Sequence, residues 1–194
     1  MPKRILTVLG HPNLESYCAA LHEAFASGAE SAGANVQRLR LSELSFDPIL
    51  KKSKALQQPL EADLLKAQEQ IRWAEHLVFV YPVWWGNCPA LMQGFFDRAL
   101  VQGFGFRYTD EQLFWDKLLT GRTAEVIATL NAPVWYYRWV LRDSGIRSLT
   151  GPTLAFCGIK TTRITRIGPI KHFKDTRRRR WLEKARQLGA AAAR

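Results

Sequence analysis

The chain has 194 residues, 47% of them hydrophobic, and a formal net charge of +11. That length fits one domain, 1–194, with a sizeable core, and no stretch reaches the roughly 20 apolar residues of a membrane span. The opening Met1-Pro2-Lys3-Arg4 has no signal-peptide pattern, and three cysteines (Cys18, Cys88, Cys157) without a CxxC pair fit a reducing, cytoplasmic setting. The charge is lopsided: residues 160–194 hold 12 Lys/Arg against 2 Asp/Glu, while residues 1–159 hold 16 against 15. An anionic partner or a merely solvated basic helix accounts for that equally well.

Arg4 to Gly10 reads as a short strand, ended by Gly10-His11-Pro12-Asn13. Ser16 caps a helix that runs to about Ala32 and stops at Gly33. Val36 to Leu41 alternates as a half-buried strand, and Ser45 to Leu56 reads as a loop. Pro59 to Ala74 is a helix with Leu60, Leu64, Ala67 and Ile71 on one face. Leu77 to Tyr81 is a buried strand and Pro89 to Leu100 a helix; Gly103 to Tyr108 is irregular or briefly extended. Thr123 to Asn131 predicts a fourth strand, Thr153 to Cys157 a fifth, and residues 174–193 a basic terminal helix. Strands alternating with helices predict an α/β fold, a parallel sheet with helices on both faces.

Ligands of an open parallel sheet bind beyond the carboxyl ends of its strands. Three loops fall there. The first, around Gly10 to Cys18, lacks GxGxxG and the Walker pattern, yet a Ser-capped helix offers free N–H groups and a positive dipole end to a phosphate, with His11 as a further donor. An ordinary N-cap explains the same residues. The second loop, Tyr81-Pro82-Val83-Trp84-Trp85-Gly86-Asn87, places two adjacent tryptophans on a turn, as walls for a flat ligand or as packing against a neighbour. The third carries Trp135, Tyr136, Tyr137 and Trp139 after the fourth strand, as a lid or a dimer contact. The four histidines have no metal spacing, there is no GxSxG elbow, and Cys88 reads as packing; no metal site is expected.

The run Tyr81 to Gly86, followed by Pro89-Ala90 and Gly94-Phe95-Phe96-Asp97-Arg98, resembles the signature of the flavodoxin-like NAD(P)H:quinone oxidoreductase family, which includes modulator-of-drug-activity and potassium-efflux ancillary flavoproteins. Gly10-His11-Pro12, Ser16-Tyr17, Phe46-Asp47-Pro48 and Gly103 to Tyr108 resemble it too; the basic tail lies outside the match. The resemblance implies a three-layer, five-stranded parallel sheet of order 2-1-3-4-5, a bound FAD or FMN, and a homodimer with the flavin site near the interface. It places His11, Ser16, Tyr17 and Cys18 at the flavin phosphate. It places Pro82, Val83, Trp84, Trp85 and Gly86 around the ring, with Trp85 rather than Trp84 against it, and Thr129, Leu130, Asn131 and Ala132 at its edge. Tyr137 falls on a loop tyrosine beside the flavin, as candidate proton donor or plain aromatic wall, and Asp143 stands where some members carry a histidine.

The expected activity is ping-pong hydride transfer from NAD(P)H through the flavin to a quinone or similar flat acceptor. Two other readings remain: a flavin-binding interaction subunit of a transporter, and an anionic-surface or nucleic-acid binder working through Lys171 to Arg186. Only Trp181 interleaves with the arginines, which counts against nucleic acid.

Overall fold

A computed structural model describes residues 1–51, 58–108 and 114–194. Its strands are β1 (Arg4–Leu9), β2 (Asn35–Arg40), β3 (His76–Pro82), β4 (Phe106–Arg107), β5 (Asp116–Lys117), β6 (Thr123–Thr129) and β7 (Lys160–Ile167). The helices are α1 (Tyr17–Ser31), α2 (Ala62–Trp73), α3 (Ala90–Ala99), the short α4 (Ser144–Ser148) and α5 (Asp175–Ala192). Five strands form one parallel sheet in the order β2-β1-β3-β6-β7. Counted within that sheet, this is the expected 2-1-3-4-5. β4 and β5 pair antiparallel, so the segment from Gly103 read as irregular or briefly extended contains a two-residue strand.

β3 sits in the middle and every residue of it is buried. Both of its faces are covered, which is why it reads as a continuous apolar run rather than an alternation. On one face Ile5, Leu9, Val78, Val80 and Ile127 meet Leu21 and Phe25 of α1 and Leu188 of α5. On the other, Leu6, Val8, Leu77 and Phe79 meet Leu64 and Ile71 of α2 and Met92 and Phe95 of α3. α1 and α5 touch through glycines: a Cβ on Gly28 would lie 2.0 Å from the Arg186 carbonyl oxygen, and one on Gly189 2.0 Å from that of Phe25. Contacts pair early with early and late with late residues, so the two helices run parallel.

The fifth strand is not where the sequence placed it. Residues 149–155 form a wide helical turn, and the strand is Lys160–Ile167. A short apolar run such as Thr153 to Cys157 cannot be told from a buried helical segment by periodicity. The true strand is an edge strand whose outer residues, Lys160, Thr162 and Arg163, face water, and it kinks where its register slips against Ala124 and Glu125. A single helical turn, Leu41–Glu43, precedes the loop read from Ser45; that loop has no regular structure to residue 51, and residues 52–57 lie outside the described residues. The buried Arg98 holds its two ends, donating to the Asp47 and Pro59 carbonyls and to the Glu61 carboxylate (2.8 Å).

Candidate active site

The carboxyl ends of β1, β3 and β6 bring the three loops to one edge. There, His11, Ser16, Tyr17, Cys18, Pro82, Val83, Trp84, Thr129, Leu130, Asn131 and Ile170 line a cavity of about 220 Å³. This is below the roughly 300–1,000 Å³ of most ligand sites, so its walls enclose one end of a nucleotide-sized molecule, not all of it. A larger groove of about 410 Å³ runs between β2 and α2, but its charged lining residues are largely paired with one another and it lies away from the strand ends.

Ser16 caps α1, its Oγ accepting from the Ala19 N–H at 3.2 Å. The oxygen accepts from the helix while its own O–H stays free, so the donors left for a ligand are that hydroxyl and the N–H groups of Tyr17 and Cys18. His11 Nδ1 accepts from the Asn13 N–H at 2.9 Å, which leaves Nε2 as the ring's donor; burial pulls its pKa below the ordinary 6.5, so the ring is neutral. Tyr17 donates its hydroxyl to the Arg178 carbonyl at 2.9 Å. Cys18 is buried with its Sγ 3.2 Å from Thr129 Oγ1, and burial pushes its thiol up to about 12. It contributes a wall and a backbone N–H, not a thiolate. Cys88 and Cys157 are pushed up to about 11 by burial and are equally unreactive.

The tryptophan turn is tighter than the sequence indicates. Trp84 and Asn87 exchange both N–H···O bonds at 2.9 Å, with Trp85 (φ 50°) and Gly86 (φ 79°) between them. Positive φ at both central positions defines a type I′ turn, which suits Asn-Gly or Gly-Gly far better than a tryptophan. Trp84, half-exposed, lines the cavity edge-on to the His11 ring with centroids 5.5 Å apart. Trp85 does not line it: its side chain is fully exposed at 104%. Of the two tryptophans, Trp84 is thus the one in the described cavity wall. Val83 N–H donates to the Thr129 carbonyl at 2.8 Å, so the ladder consumes a donor that the sequence assigned to a ligand. Trp85 and Gly86 keep N–H groups without a partner among the described residues.

Tyr137 is not at the cavity. It is 1% exposed, its hydroxyl donates to the Gly86 carbonyl at 3.0 Å and accepts from the Gly145 N–H at 3.2 Å. Burial raises its pKa, partly offset by those N–H donors. The hydroxyl proton is committed, so the candidate proton donor is a pin between the second and third loops. Gly86 turns its carbonyl to that pin, taking a second bond from Ser144 Oγ at 2.9 Å, and it lies outside the cavity wall. Ala132 is also outside the wall, packed against Gly168. Asp143 forms a two-pronged ion pair with Arg166 of β7, Nε to Oδ1 at 2.8 Å, tying the third loop to the sheet edge. Beyond the pin, Trp135, Tyr136, Trp139 and Val140 stay exposed together with Trp85.

The sequence reading missed Ile170. It sits after β7, and its N–H donates to the Leu130 carbonyl at 2.8 Å. Misplacing the fifth strand hid the loop that follows it.

Residues 3–190 match the profile of a family described as having the flavodoxin-like fold. The chain belongs to that family. Among curated relatives of this flavodoxin-like chain, ribosyldihydronicotinamide dehydrogenase [quinone] of Rattus norvegicus is 27% identical over 188 residues, spanning 81% of this chain and 78% of its own. Among solved structures, NAD(P)H:quinone oxidoreductase from Methanothermobacter marburgensis superposes with TM-score 0.83 at 24% identity, covering 99% of this chain and 100% of that one. An FMN-dependent NADH-azoreductase from Bacillus anthracis, in complex with FMN, gives 0.78 at 17%, covering 99% and 100%. At those identities the two structures bear on the fold alone.

Proposed function

We propose that this flavodoxin-like chain, 1–194 as one domain, is a flavin-dependent oxidoreductase that uses NAD(P)H to reduce a quinone or similar flat acceptor. One observation carries the reading: a cavity at the switch edge of the sheet has unspent helix N–H donors at one end and a tryptophan face at the other. A phosphate fits the first and a conjugated ring the second. The relatives' names add the reaction class. When bound, the flavin supplies two-electron hydride chemistry between NAD(P)H and the acceptor.

The residues have these parts in that proposal. Tyr17 and Cys18 hold the phosphate by backbone N–H, with His11 Nε2 as a third donor. Pro82, Val83 and Trp84 wall the ring and exclude water. Asn131, exposed at the end of β6, offers its amide to the ring edge. The free N–H groups of Trp85 and Gly86 are placed to bind the ring's polar edge. Tyr137 positions that turn and transfers no proton.

The cavity encloses only one end of such a ligand, and exposed Trp85, Trp135, Trp139 and Val140 lie beside it. A second copy covering those aromatics would close the site, so the reading includes a homodimer with the flavin near the interface. No described helix is long and apolar enough to cross a membrane, and three buried free cysteines fit work in the cytoplasm. The test is direct. The purified protein carries flavin absorbance, NADPH or NADH bleaches it without oxygen, and a quinone restores it. A colourless protein that no flavin reconstitutes ends the reading.

A further inference from the structure

The positive charge is uneven along the chain. Residues 170–180, where the segment passes the cavity, hold six Lys/Arg against one Asp. Ile170 is part of the cavity wall, and Arg178 is bolted to that wall twice: its guanidinium donates to the Ile170 carbonyl at 3.2 Å and lies 5.2 Å from the centroid of the Tyr17 ring. Its own carbonyl accepts the Tyr17 hydroxyl at 2.9 Å. From this anchor Lys171, Lys174 and Arg177 extend as exposed cations, Arg177 set over the Phe173 ring at 4.1 Å. None of the three makes an ion pair among the described residues; Asp175 is the one carboxylate in their segment. Other cations of the chain do find carboxylates: Arg38 takes Glu23 and Glu30, Arg107 takes Asp116, Arg166 takes Asp143.

Unpaired cations beside an open-ended cavity call for an anion that arrives with the ligand. The enclosed end of the cavity already has backbone donors for one phosphate. The rim lies outside that wall and is open to solvent, where a reversibly bound molecule lands. We propose that Lys171, Lys174 and Arg177 form the recognition site for the 2′-phosphate of NADPH, so that the chain selects NADPH over NADH. This rests on the oxidoreductase reading above. A 2′-phosphomonoester carries between one and two negative charges at neutral pH, is absent from NADH, and is the kind of group that a cluster of mobile Lys and Arg side chains discriminates.

The test uses the flavin-loaded enzyme and two charge-matched double variants. Lys174→Glu/Arg177→Glu reverses the rim; Lys66→Glu/Lys184→Glu makes the same charge change on the exposed surface of α2 and farther along α5. The expected result is a kcat/KM ratio, NADPH over NADH, that falls at least about tenfold in the rim variant and less than about twofold in the control, with the NADH value retained in both. The wild-type ratio falls with added salt, while the NADH value changes little. Adenosine 2′,5′-bisphosphate inhibits the wild type more strongly than AMP, and the rim variant equally weakly by both. Flavin affinity, measured by fluorescence titration of the apoprotein with FMN and with FAD, is unchanged in the rim variant. Three outcomes overturn the proposal: a wild type without NADPH preference, a rim variant with an unchanged ratio, or a rim variant that loses FAD affinity alone, which would assign the rim to the flavin. A flavin-loaded wild type that oxidises neither NADPH nor NADH would instead remove the oxidoreductase reading itself.

Discussion

The two edges of the sheet treat their polar groups in opposite ways. At the amino edge the chain closes on itself. Glu75 accepts from the Arg4 N–H at 3.0 Å, and Arg122 donates to the Ile71 and Arg72 carbonyls, finishing the last turn of α2. The unmet atoms there, His76 Nε2 and Glu125 Oε2, are buried and 4% and 7% exposed by side chain. At the carboxyl edge the Tyr81 hydroxyl is also sealed and unmet, but the accessible unmet groups are backbone N–H donors on turns that a ligand can reach, beside tryptophans left in water. An unmet group marks a site when it is accessible, and a folding cost when it is sealed.

The largest effect should come from acid acting on the sealed groups. Burial holds His76, and His22 on the buried face of α1, at a pKa of about 4 against an ordinary 6.5. Between those values the unfolded chain binds protons that the folded chain refuses. Stability therefore falls as pH drops from 6.5 toward 4, by up to about 3 kcal/mol for each group. Glu125 works the other way: burial raises its pKa, so its folded-state cost is present when ionised and is relieved as pH falls. Denaturant midpoints from pH 7.5 to 4.5 check the sign; a flat profile would mean that the histidines are not sealed.

Next is the pin. Tyr137→Phe removes one of three bonds to the Gly86 carbonyl, which keeps those from Ser144 Oγ and the Gly145 N–H. About 1–2 kcal/mol of stability should go, with weaker flavin retention. In the flavin-loaded fraction kcat at saturating quinone should stay within about twofold. A fall of a hundredfold there would restore the proton-donor role. At the closed edge Arg122→Ala should cost about 1–2 kcal/mol and leave kinetics untouched, because it serves only carbonyls remote from the cavity. Smallest, and opposite in sign, is Trp85→Asn. Asparagine accepts the left-handed backbone, so the melting temperature should hold or rise by about 1–3 °C. Dimerisation, read by light scattering, should weaken, because the exposed indole is gone; a lower melting temperature with an intact dimer would break the contrast between the edges.

How far the sequence could be read follows the same division. Elements whose ends carry backbone chemistry were legible: Ser16 and Gly33 bound α1 to within a residue, and the apolar run of β3 is unmistakable. β7 was not, because an edge strand wears its polar residues outward. Five β-branched residues among the eight from Lys160 to Ile167 were the signal that could have found it. The sequence located the three loops that meet at the cavity but not which aromatic in each turns inward. Tyr137 and Trp85 are both aromatic residues beside a glycine-bearing turn, and only packing decides that one is sealed and the other stands in water.

The parallel contact of α1 with α5 has a consequence in time. Tyr17 and Arg178 are 161 residues apart in the chain yet share a hydrogen bond, and bare glycines let the helices touch. At about 5–20 residues per second of synthesis, α1 waits roughly ten to thirty seconds for the helix that covers it. Until then Leu21 and Phe25 lack Leu188, so the nascent chain is most exposed to aggregation or chaperone capture through its first helix.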